Sequence, residues 1–155
     1  MSKDFGKTFE KKFKEDFLKV PNATIDRLYD VVMGYKSIKQ ISDYIGFIFP
    51  NIFYLECKTH KGASLPLCNI SQYENLCKKV SIKGVRSGVV LWLYEKDKVL
   101  YIPTKTITKL KENGEKSVGM RHLNSNYRIF ELPSTKRRIF MDTDYTLLTK
   151  LKEGD

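Results

Sequence analysis

The sequence predicts a mixed α/β fold, in which helices cover both sides of a central mixed β-sheet. Three observations indicate it: an amphipathic helix pattern at residues 5–17, an apolar hairpin at residues 42–57, and a continuously apolar strand at residues 87–94. A strand that is apolar on both faces needs a layer above and a layer below the sheet. The order helix, strands, helix, strand, strand and helix favours the same architecture.

The first helix is predicted from phenylalanines at every fourth position, which form one apolar stripe among lysines and glutamates. Pro21 ends this helix, because proline cannot continue helical hydrogen bonding. Residues 24–32 are predicted as a first strand, and the polar residues 34–40 as a loop or protrusion. The stripe consists of Phe5, Phe9, Phe13 and Phe17.

The central hairpin is the clearest pattern in the chain. Residues 42–49 and 52–57 are rich in Ile, Phe and Tyr, and Pro50-Asn51 between them is a two-residue turn signal. Residues 59–67 are predicted as a loop.

A second helix, capped by Asn69 or Ser71, is predicted to extend to about residue 83. The apolar strand at 87–94 follows it. The remaining predicted elements are a turn at 95–98, a strand at 99–102, a helix at 104–112, a polar mobile segment at 116–126, strands at 127–132 and 138–141, and a short C-terminal helix.

The length of 155 residues predicts a single domain that spans residues 1–155. With 41% hydrophobic residues the chain has enough apolar side chains for a core, which excludes an intrinsically disordered protein. Lys and Arg number 28 against 18 Asp and Glu, a formal net charge of +10. This balance predicts a polyanionic partner, nucleic acid first and an anionic membrane second.

Other classes of protein are disfavoured by simple patterns. The first residues are charged throughout and lack the apolar segment of a signal peptide. No apolar run approaches the roughly 18–20 residues of a membrane-spanning helix, so no membrane partner is expected. Cys57, Cys68 and Cys77 have no CxxC spacing and cannot all pair internally, which favours a reduced, cytoplasmic protein. A lone CxxH, Cys57 with His60, lacks the second pair of a zinc site.

Three charged residues of the hairpin suggest chemistry. Side chains alternate along a strand, so Glu56 and Lys58 project from one face, while Leu55 and Cys57 point into the core. The partner strand brings Asp43 towards Glu56. Two carboxylates and the backbone carbonyl of Cys57 would supply oxygen ligands for Mg²⁺. This D…ExK pattern is typical of metal-dependent phosphodiester cleavage, although a Glu/Lys pair two residues apart is also common on solvated strand faces.

Two further polar residues are candidates for the same site. Glu10 lies on the first helix, and Gln72 opens the helix that follows the hairpin. Gln72 could reach a phosphate or a metal-bound water. Each also has an ordinary interpretation, as a surface glutamate of a charged helix and as a helix N-terminal residue.

Together these residues resemble the RecU-type Holliday junction resolvases of Gram-positive bacteria and their phages, a family of the PD-(D/E)xK nuclease superfamily. The resemblance covers roughly residues 4–103, about two thirds of the chain. Each motif alone is weak, and their common order and spacing carry the resemblance. The motifs are Gly6-Lys7-x-Phe9-Glu10, Ser42-Asp43-Tyr44-x-Gly46, Glu56-Cys57-Lys58-Thr59, Ser64-x-Pro66-Leu67 and Gln72.

The resemblance implies a restriction-endonuclease-like core and a role for each motif residue. Asp43 and Glu56 would hold Mg²⁺, with Mn²⁺ as a substitute, and Glu10 would contribute directly or through water. Lys58 would be the catalytic lysine, and Gln72 would assist at the phosphate. The family acts as a homodimer that cuts opposing strands of a four-way junction, which here implies a nuclease in the cytoplasm of a bacterial host.

Three departures from the family pattern are visible. Ser42 replaces the proline of the "PD" motif, and the insertion before the metal aspartate, called the stalk, is reduced to residues 33–41. The motif also begins at Gly6, without the longer N-terminal arm of cellular members. These features suggest a compact, phage-type member.

The positive charge offers several candidates for contacts with DNA phosphates. Arg27 on the first strand is the favoured phosphate ligand, and a structural ion pair is the alternative. The C-terminal basic cluster at 136–138 is predicted to be a surface turn. Trp92 is predicted to lie in the core. The candidates for DNA binding are Arg27, Lys36, Lys39, His60, Lys61, Arg137 and Arg138.

The sequence leaves three functions open. The first is a homodimeric resolvase of four-way DNA junctions, and the second is a restriction-like or repair endonuclease that acts on duplex DNA. The third is a non-catalytic DNA-binding recombination protein. The intact set of Glu10, Asp43, Glu56 and Lys58 disfavours the third, because carboxylates close to a phosphate weaken binding unless a metal lies between them.

Overall fold

A computed structural model describes residues 4–153 and 155 of the chain. Three α-helices and twelve strands make up these residues, together with short 3-10 turns. In chain order the α-helices and strands are α1 (Phe5–Phe17), β1 (Ala23–Arg27), β2 (Val31–Met33), β3 (Lys36–Ile38), β4 (Tyr44–Ile48), β5 (Asn51–His60), β6 (Ser64–Pro66), α2 (Tyr73–Cys77), β7 (Val85–Leu93), β8 (Lys98–Pro103), α3 (Thr104–Glu112), β9 (Ser117–Gly119), β10 (Phe130–Leu132), β11 (Ser134–Lys136) and β12 (Met141–Thr143).

The centre of the molecule is a six-stranded sheet with the order β1-β4-β5-β7-β8-β10. All neighbouring strands are antiparallel except β5 and β7, which pair in parallel over nine positions from Ile52↔Val85 to His60↔Leu93. The connection between these two parallel strands carries α2, as a parallel crossover requires. The sheet is therefore mixed, and the predicted fold class is confirmed.

Two apolar layers cover the sheet. On one face α1 contributes the buried Phe9, Phe13 and Phe17, which pack against residues that include Tyr44 and Trp92. On the other face α2 and α3 form a second cluster that includes Leu76, Leu91 and Ile107. Trp92 is 2% exposed, which confirms its predicted place in the core.

The phenylalanine stripe needs close approach to the sheet, and Gly46 on β4 provides it. A Cβ atom at Gly46 would lie 2.9 Å from the Phe17 ring.

The predicted hairpin is confirmed, with one shift: Ile48 pairs with Asn51, so the two loop residues are Phe49 and Pro50 rather than Pro50 and Asn51.

The predicted first strand ends earlier than expected, at Arg27. Beyond it the chain forms a separate hairpin of β2 and β3, with the register Val31↔Ile38 to Met33↔Lys36. Its base is closed by Asp30, which accepts hydrogen bonds from the Gln40 backbone N–H at 2.9 Å and from Lys39 Nζ at 3.0 Å. The stretch 33–41, predicted to be a short stalk, therefore contains the second half of this hairpin.

Two further boundaries differ from the sequence predictions. The stretch 59–67 is not a loop throughout, because Thr59 and His60 continue β5 alongside β7. The second helix ends at Cys77 instead of near residue 83, and Gln72 rather than Asn69 or Ser71 is its N-terminal flanking residue. So short a helix gains little from helix propagation and depends on tertiary packing, here of the fully buried Leu76.

The C-terminal part also differs in detail. The polar stretch 116–126 contains β9, which pairs with β6 and buries Val118, so at least residues 117–119 are packed against the rest of the fold. Residues 138–140 of the predicted strand at 138–141 lie in the turn between β11 and β12, and only Met141 belongs to a strand, as the first residue of β12. The C-terminal helix is a 3-10 segment, Tyr145–Lys150, that buries Tyr145 and Leu148 against the α1 layer. Among the described residues, no helix has the length and apolar character needed to cross a membrane.

Candidate active site

The candidate site begins where β4 and β5 diverge. The register Tyr44↔Leu55 places Asp43, just before β4, opposite Glu56. Asp43 Oδ2 accepts a hydrogen bond of 2.9 Å from the backbone N–H of Cys57. The hairpin thus fixes the aspartate carboxylate against the strand that carries the ExK residues, in the arrangement that the sequence predicts.

Glu56 is a buried carboxylate, with only 1% of its surface exposed. Its Oε1 lies 3.2 Å from Lys58 Nζ and accepts from the Ser71 hydroxyl at 3.2 Å, while Oε2 accepts from the Gln72 backbone N–H at 3.4 Å. Burial raises the pKa of Glu56, and Lys58 opposes that rise. These donors offset part of the cost of burying the carboxylate.

Gln72 lies beside Glu56 and is itself buried. Its side-chain Oε1 has no hydrogen-bond partner within the described chain. A buried amide oxygen without a protein partner is uncommon in proteins, and it is free to accept a hydrogen bond or to coordinate a cation. The sequence suggests Ser71 only as a helix cap, and its contact with Glu56 depends on the fold of the connection between β6 and α2.

Glu10 approaches the site from α1. Its Oε1 lies 3.5 Å from Arg27 Nη2, and Arg27 Nη1 lies 3.4 Å from Asp43 Oδ1. Burial raises the pKa of Glu10, and the positive charge of Arg27 opposes that rise. Arg27, interpreted from the sequence as a phosphate ligand or an ion-pair partner, therefore lies in the carboxylate cluster as a bridge between two acids.

Several contacts fix the Arg27 side chain in that position. Its Nη1 donates hydrogen bonds to the carbonyl oxygens of Asp43, at 2.9 Å, and Leu28, at 3.2 Å. Its guanidinium carbon lies 5.2 Å and 5.5 Å from the ring centroids of Tyr44 and Tyr29, within the range of cation–π attraction. An arginine held in this way is part of the site and not a free surface charge.

The donor set fits a hard divalent cation. Asp43 and Glu56 would supply carboxylate oxygens, and the partnerless Gln72 Oε1 would supply a neutral one. Proteins commonly bind Mg²⁺ through one or two carboxylates, with waters and substrate phosphates completing the shell. Within residues 4–153 and 155, no three His, Cys, Asp or Glu side chains form a metal-binding cluster. Arg27 contacts both Glu10 and Asp43, and the contributions of Glu10 and of the Cys57 carbonyl to a metal site stay predictions.

The other candidates for DNA binding are spread around this site. Lys36 and Lys39 belong to the β2–β3 hairpin that precedes Asp43, where Lys39 pairs with Asp30. His60 ends β5, two residues beyond Lys58, and Lys61 follows it, 3.8 Å from Glu95. Arg137 and Arg138 lie in the β11–β12 turn, where Arg137 pairs with Asp142.

Comparison with solved structures identifies a similar fold. The 1.6 Å structure of Hjc from Archaeoglobus fulgidus, a Holliday junction resolvase from an archaeal hyperthermophile, matches with a TM-score of 0.51 and 18% sequence identity. The match covers 65% of this chain and 78% of that chain. The protein has a restriction-endonuclease-like fold. No protein-family model and no curated protein sequence matches the chain.

The structural similarity concerns the fold and does not assign roles to individual residues of the site. At 18% identity the similarity establishes the fold alone. The roles of individual residues therefore rest on the contacts of Asp43, Glu56, Lys58 and Gln72 described above.

Proposed function

We propose that this protein is a metal-dependent endodeoxyribonuclease that resolves four-way DNA junctions by paired phosphodiester hydrolysis, as a homodimer. The observation that carries the proposal is the convergence of Asp43, Glu56 and Lys58 where β4 begins beside β5, on two interior strands of a restriction-endonuclease-like sheet. Two similarities support a junction as the substrate: the fold is shared with Hjc, a Holliday junction resolvase, and the motifs resemble those of RecU-type resolvases.

The chain's own residues would divide the work. Asp43 and Glu56 would hold Mg²⁺, or Mn²⁺ in its place. A divalent ion bound there would lower the pKa of a bound water and neutralise negative charge on the phosphate. Lys58 would orient the attacking water and neutralise developing charge. Gln72, through its partnerless Oε1, would position a water or the phosphate. Glu10 would complete the site from α1.

A homodimer suits this substrate for a geometric reason. A dimer with two-fold symmetry carries two identical sites related by its axis, and a four-way junction has a matching pseudo-two-fold axis. The dimer would double the net charge of +10, which favours binding to phosphates. We place this activity in the cytoplasm of a bacterial host, as a compact phage-type member of the RecU-like resolvases.

The test compares a labelled four-way junction with linear duplex of the same sequence, in Mg²⁺, in Mn²⁺ and in EDTA. We expect symmetric paired nicks in the junction only, with either metal and not with EDTA. The Asp43→Asn variant serves as the matched inactive control, and sedimentation equilibrium measures the oligomeric state. Cuts in both substrates would favour a duplex endonuclease instead, and junction binding without cuts would favour a non-catalytic DNA-binding protein.

A further inference from the structure

A groove next to the candidate active site combines basic and aromatic side chains. It has a volume of about 420 Å³ and lies between the start of α1, the end of β7 and the β11–β12 turn. Residues from four distant parts of the chain form it. Six of its lining residues are Phe5, Lys61, Trp92, Tyr94, Lys136 and Arg138.

The rim of the groove is positively charged. Lys61, Lys136 and Arg138 face Glu95 as the single acidic lining residue. Lys61 lies 3.8 Å from Glu95, and Lys136 pairs with Asp97 outside the groove. Arg138 makes no ion pair with any residue that the structure describes. The excess positive charge makes this surface complementary to an anionic polymer.

The floor of the groove is rigid and apolar. The rings of Phe5 and Tyr94 stack in parallel with centroids 4.0 Å apart, and Phe5 also meets Trp92 edge-on at 5.7 Å. Ile139 adds an exposed apolar side chain, 49% accessible, at the turn of the hairpin. Such a floor suits the sugars of a DNA strand, whose phosphates then meet the basic rim.

The groove lies at the end of β5 that follows Lys58. Trp92 is the strand partner of Thr59, the residue after Lys58, and the Tyr94 N–H donates to the His60 carbonyl. The Trp92 side chain packs on the α1 side of the sheet, whereas Glu56 and Lys58 project from the other face. Lys61 is three residues beyond Lys58, which is about 10 Å along an extended strand.

The hairpin that supplies the far rim is fixed to α1 by buried charges. Lys12 Nζ lies 2.7 Å from Asp142 and 3.1 Å from Asp16, and Asp16, 2% exposed, accepts from the Thr143 backbone N–H at 2.9 Å. Fully buried aspartates are rare unless paired. The network therefore holds Lys136 and Arg138 at a fixed distance from α1, the helix that also carries Glu10.

We propose that this groove binds the phosphate backbone of the DNA strand that leaves the active site. The contact is independent of base sequence, because it uses charges and an apolar floor rather than groups aimed at base edges. This inference rests on the proposed function and adds to it a second contact surface, which the β11–β12 hairpin completes.

The first test measures junction binding in EDTA as a function of salt. The double variant Lys136→Glu/Arg138→Glu is compared with Lys83→Glu/Lys105→Glu, which makes the same charge change in a cleft at the opposite end of β7. We expect the groove variant to lose at least about tenfold in affinity for the junction. The slope of log affinity against log salt concentration should also fall in magnitude by about 1–2. The control variant should keep the wild-type slope. Equal losses in both variants, or no loss in either, would overturn the proposal.

A second test does not depend on charge reversal or on cleavage. Ile139→Cys in the groove and Ile82→Cys at the opposite end have similar exposures, 49% and 50%, and are made in a background with Cys68 and Cys77 replaced by serine. Junction DNA should slow alkylation of the thiol in Ile139→Cys at least about fivefold and leave Ile82→Cys unaffected. Equal rates with and without DNA would overturn the groove assignment. If junction DNA protects the thiol of Ile139→Cys but the wild-type protein does not cleave junctions, the result would count against the proposed nuclease function and leave the groove assignment intact.

Discussion

Arg27 contacts Asp43 twice, through the carboxylate at 3.4 Å and through the backbone carbonyl at 2.9 Å. The same guanidinium reaches Glu10 at 3.5 Å. One fixed positive charge thus holds two acids near each other that would otherwise repel. If the proposed metal site is correct, the same contacts would keep both carboxylates in place in the absence of the ion.

Replacement of Arg27 should therefore affect the metal-free protein most. We expect Arg27→Gln to lower the free energy of unfolding in EDTA by about 1–3 kcal/mol, because hydrogen bonds to charged groups are lost. Mg²⁺ should restore part of that loss, since it replaces the missing positive charge. Urea unfolding in EDTA and in Mg²⁺ measures both effects. Arg27→Lys is the control, because it keeps the positive charge but not the planar guanidinium. Equal stability of the wild type, Arg27→Gln and Arg27→Lys would contradict the interpretation.

Removal of the buried charge at Glu56 should separate stability from activity. The pKa of Glu56 is raised in the folded state, so its ionised form costs stability above that pKa, and the cost disappears as the pH falls below the unfolded value. Glu56→Gln should therefore raise the melting temperature in EDTA at neutral pH, by about 2–4 °C for each kcal/mol of that cost, and abolish cleavage.

The pH dependence provides the check for Glu56. The difference in melting temperature between Glu56→Gln and the wild type should shrink as the pH falls towards 4.5, the ordinary pKa of an unperturbed glutamate. Calorimetry over this range measures it. A lower melting temperature for Glu56→Gln at neutral pH would show that the Lys58 and Ser71 contacts outweigh the cost of burial.

Substitution of Asp43 should remove chemistry and spare structure. In Asp43→Asn the amide oxygen can still accept the Cys57 N–H, so the hairpin register should persist while the metal-binding charge is lost. We expect cleavage to fall by more than about 100-fold, beyond the loss typical of outer-shell partners of metal ligands. Junction binding in EDTA should change less than about threefold, because binding depends mainly on phosphate contacts made elsewhere. Undiminished cutting by purified Asp43→Asn would refute the site.

Acid should loosen the β11–β12 hairpin through Asp142. Hydrogen bonds from Lys12 and Arg137 lower the pKa of Asp142 to about 2. A lowered folded-state pKa contributes stability above the unfolded value and loses it as the pH falls through the folded value. Asp142→Asn should thus be less stable than the wild type at about pH 6, and the difference should vanish between about pH 4 and pH 2. Urea unfolding at several pH values tests this, and a difference that is constant with pH would contradict it.

The local features of the site follow from the sequence. A short loop joins β4 to β5, so their pairing is set by nearby residues, and Asp43 opposite Glu56 follows directly. The alternation along β5 also places Leu55 and Cys57 in the core, where the structure has them. The four-residue repeat of phenylalanine predicts the buried stripe of α1. Each of these patterns has a period that a single strand or helix imposes.

The ends of elements are less predictable, because tertiary contacts set them. β1 ends at Arg27, where its last pair is with Tyr44, and β5 continues through His60 because β7 pairs with it. The helix at Tyr73–Cys77 is shorter than its pattern, and the buried Leu76 fixes it there.

The sequence by itself determined the class of fold, the carboxylate pair and the lysine beside it, because neighbouring positions on one hairpin create that arrangement. Only the tertiary structure decided that Arg27 bridges two acids and that Lys61, Lys136 and Arg138 line one groove. Residues 61 and 138 are brought together by the packing of α1 and the β11–β12 hairpin on the sheet. No periodicity records such long-range contacts, since they depend on how separate elements bury their apolar faces against one another.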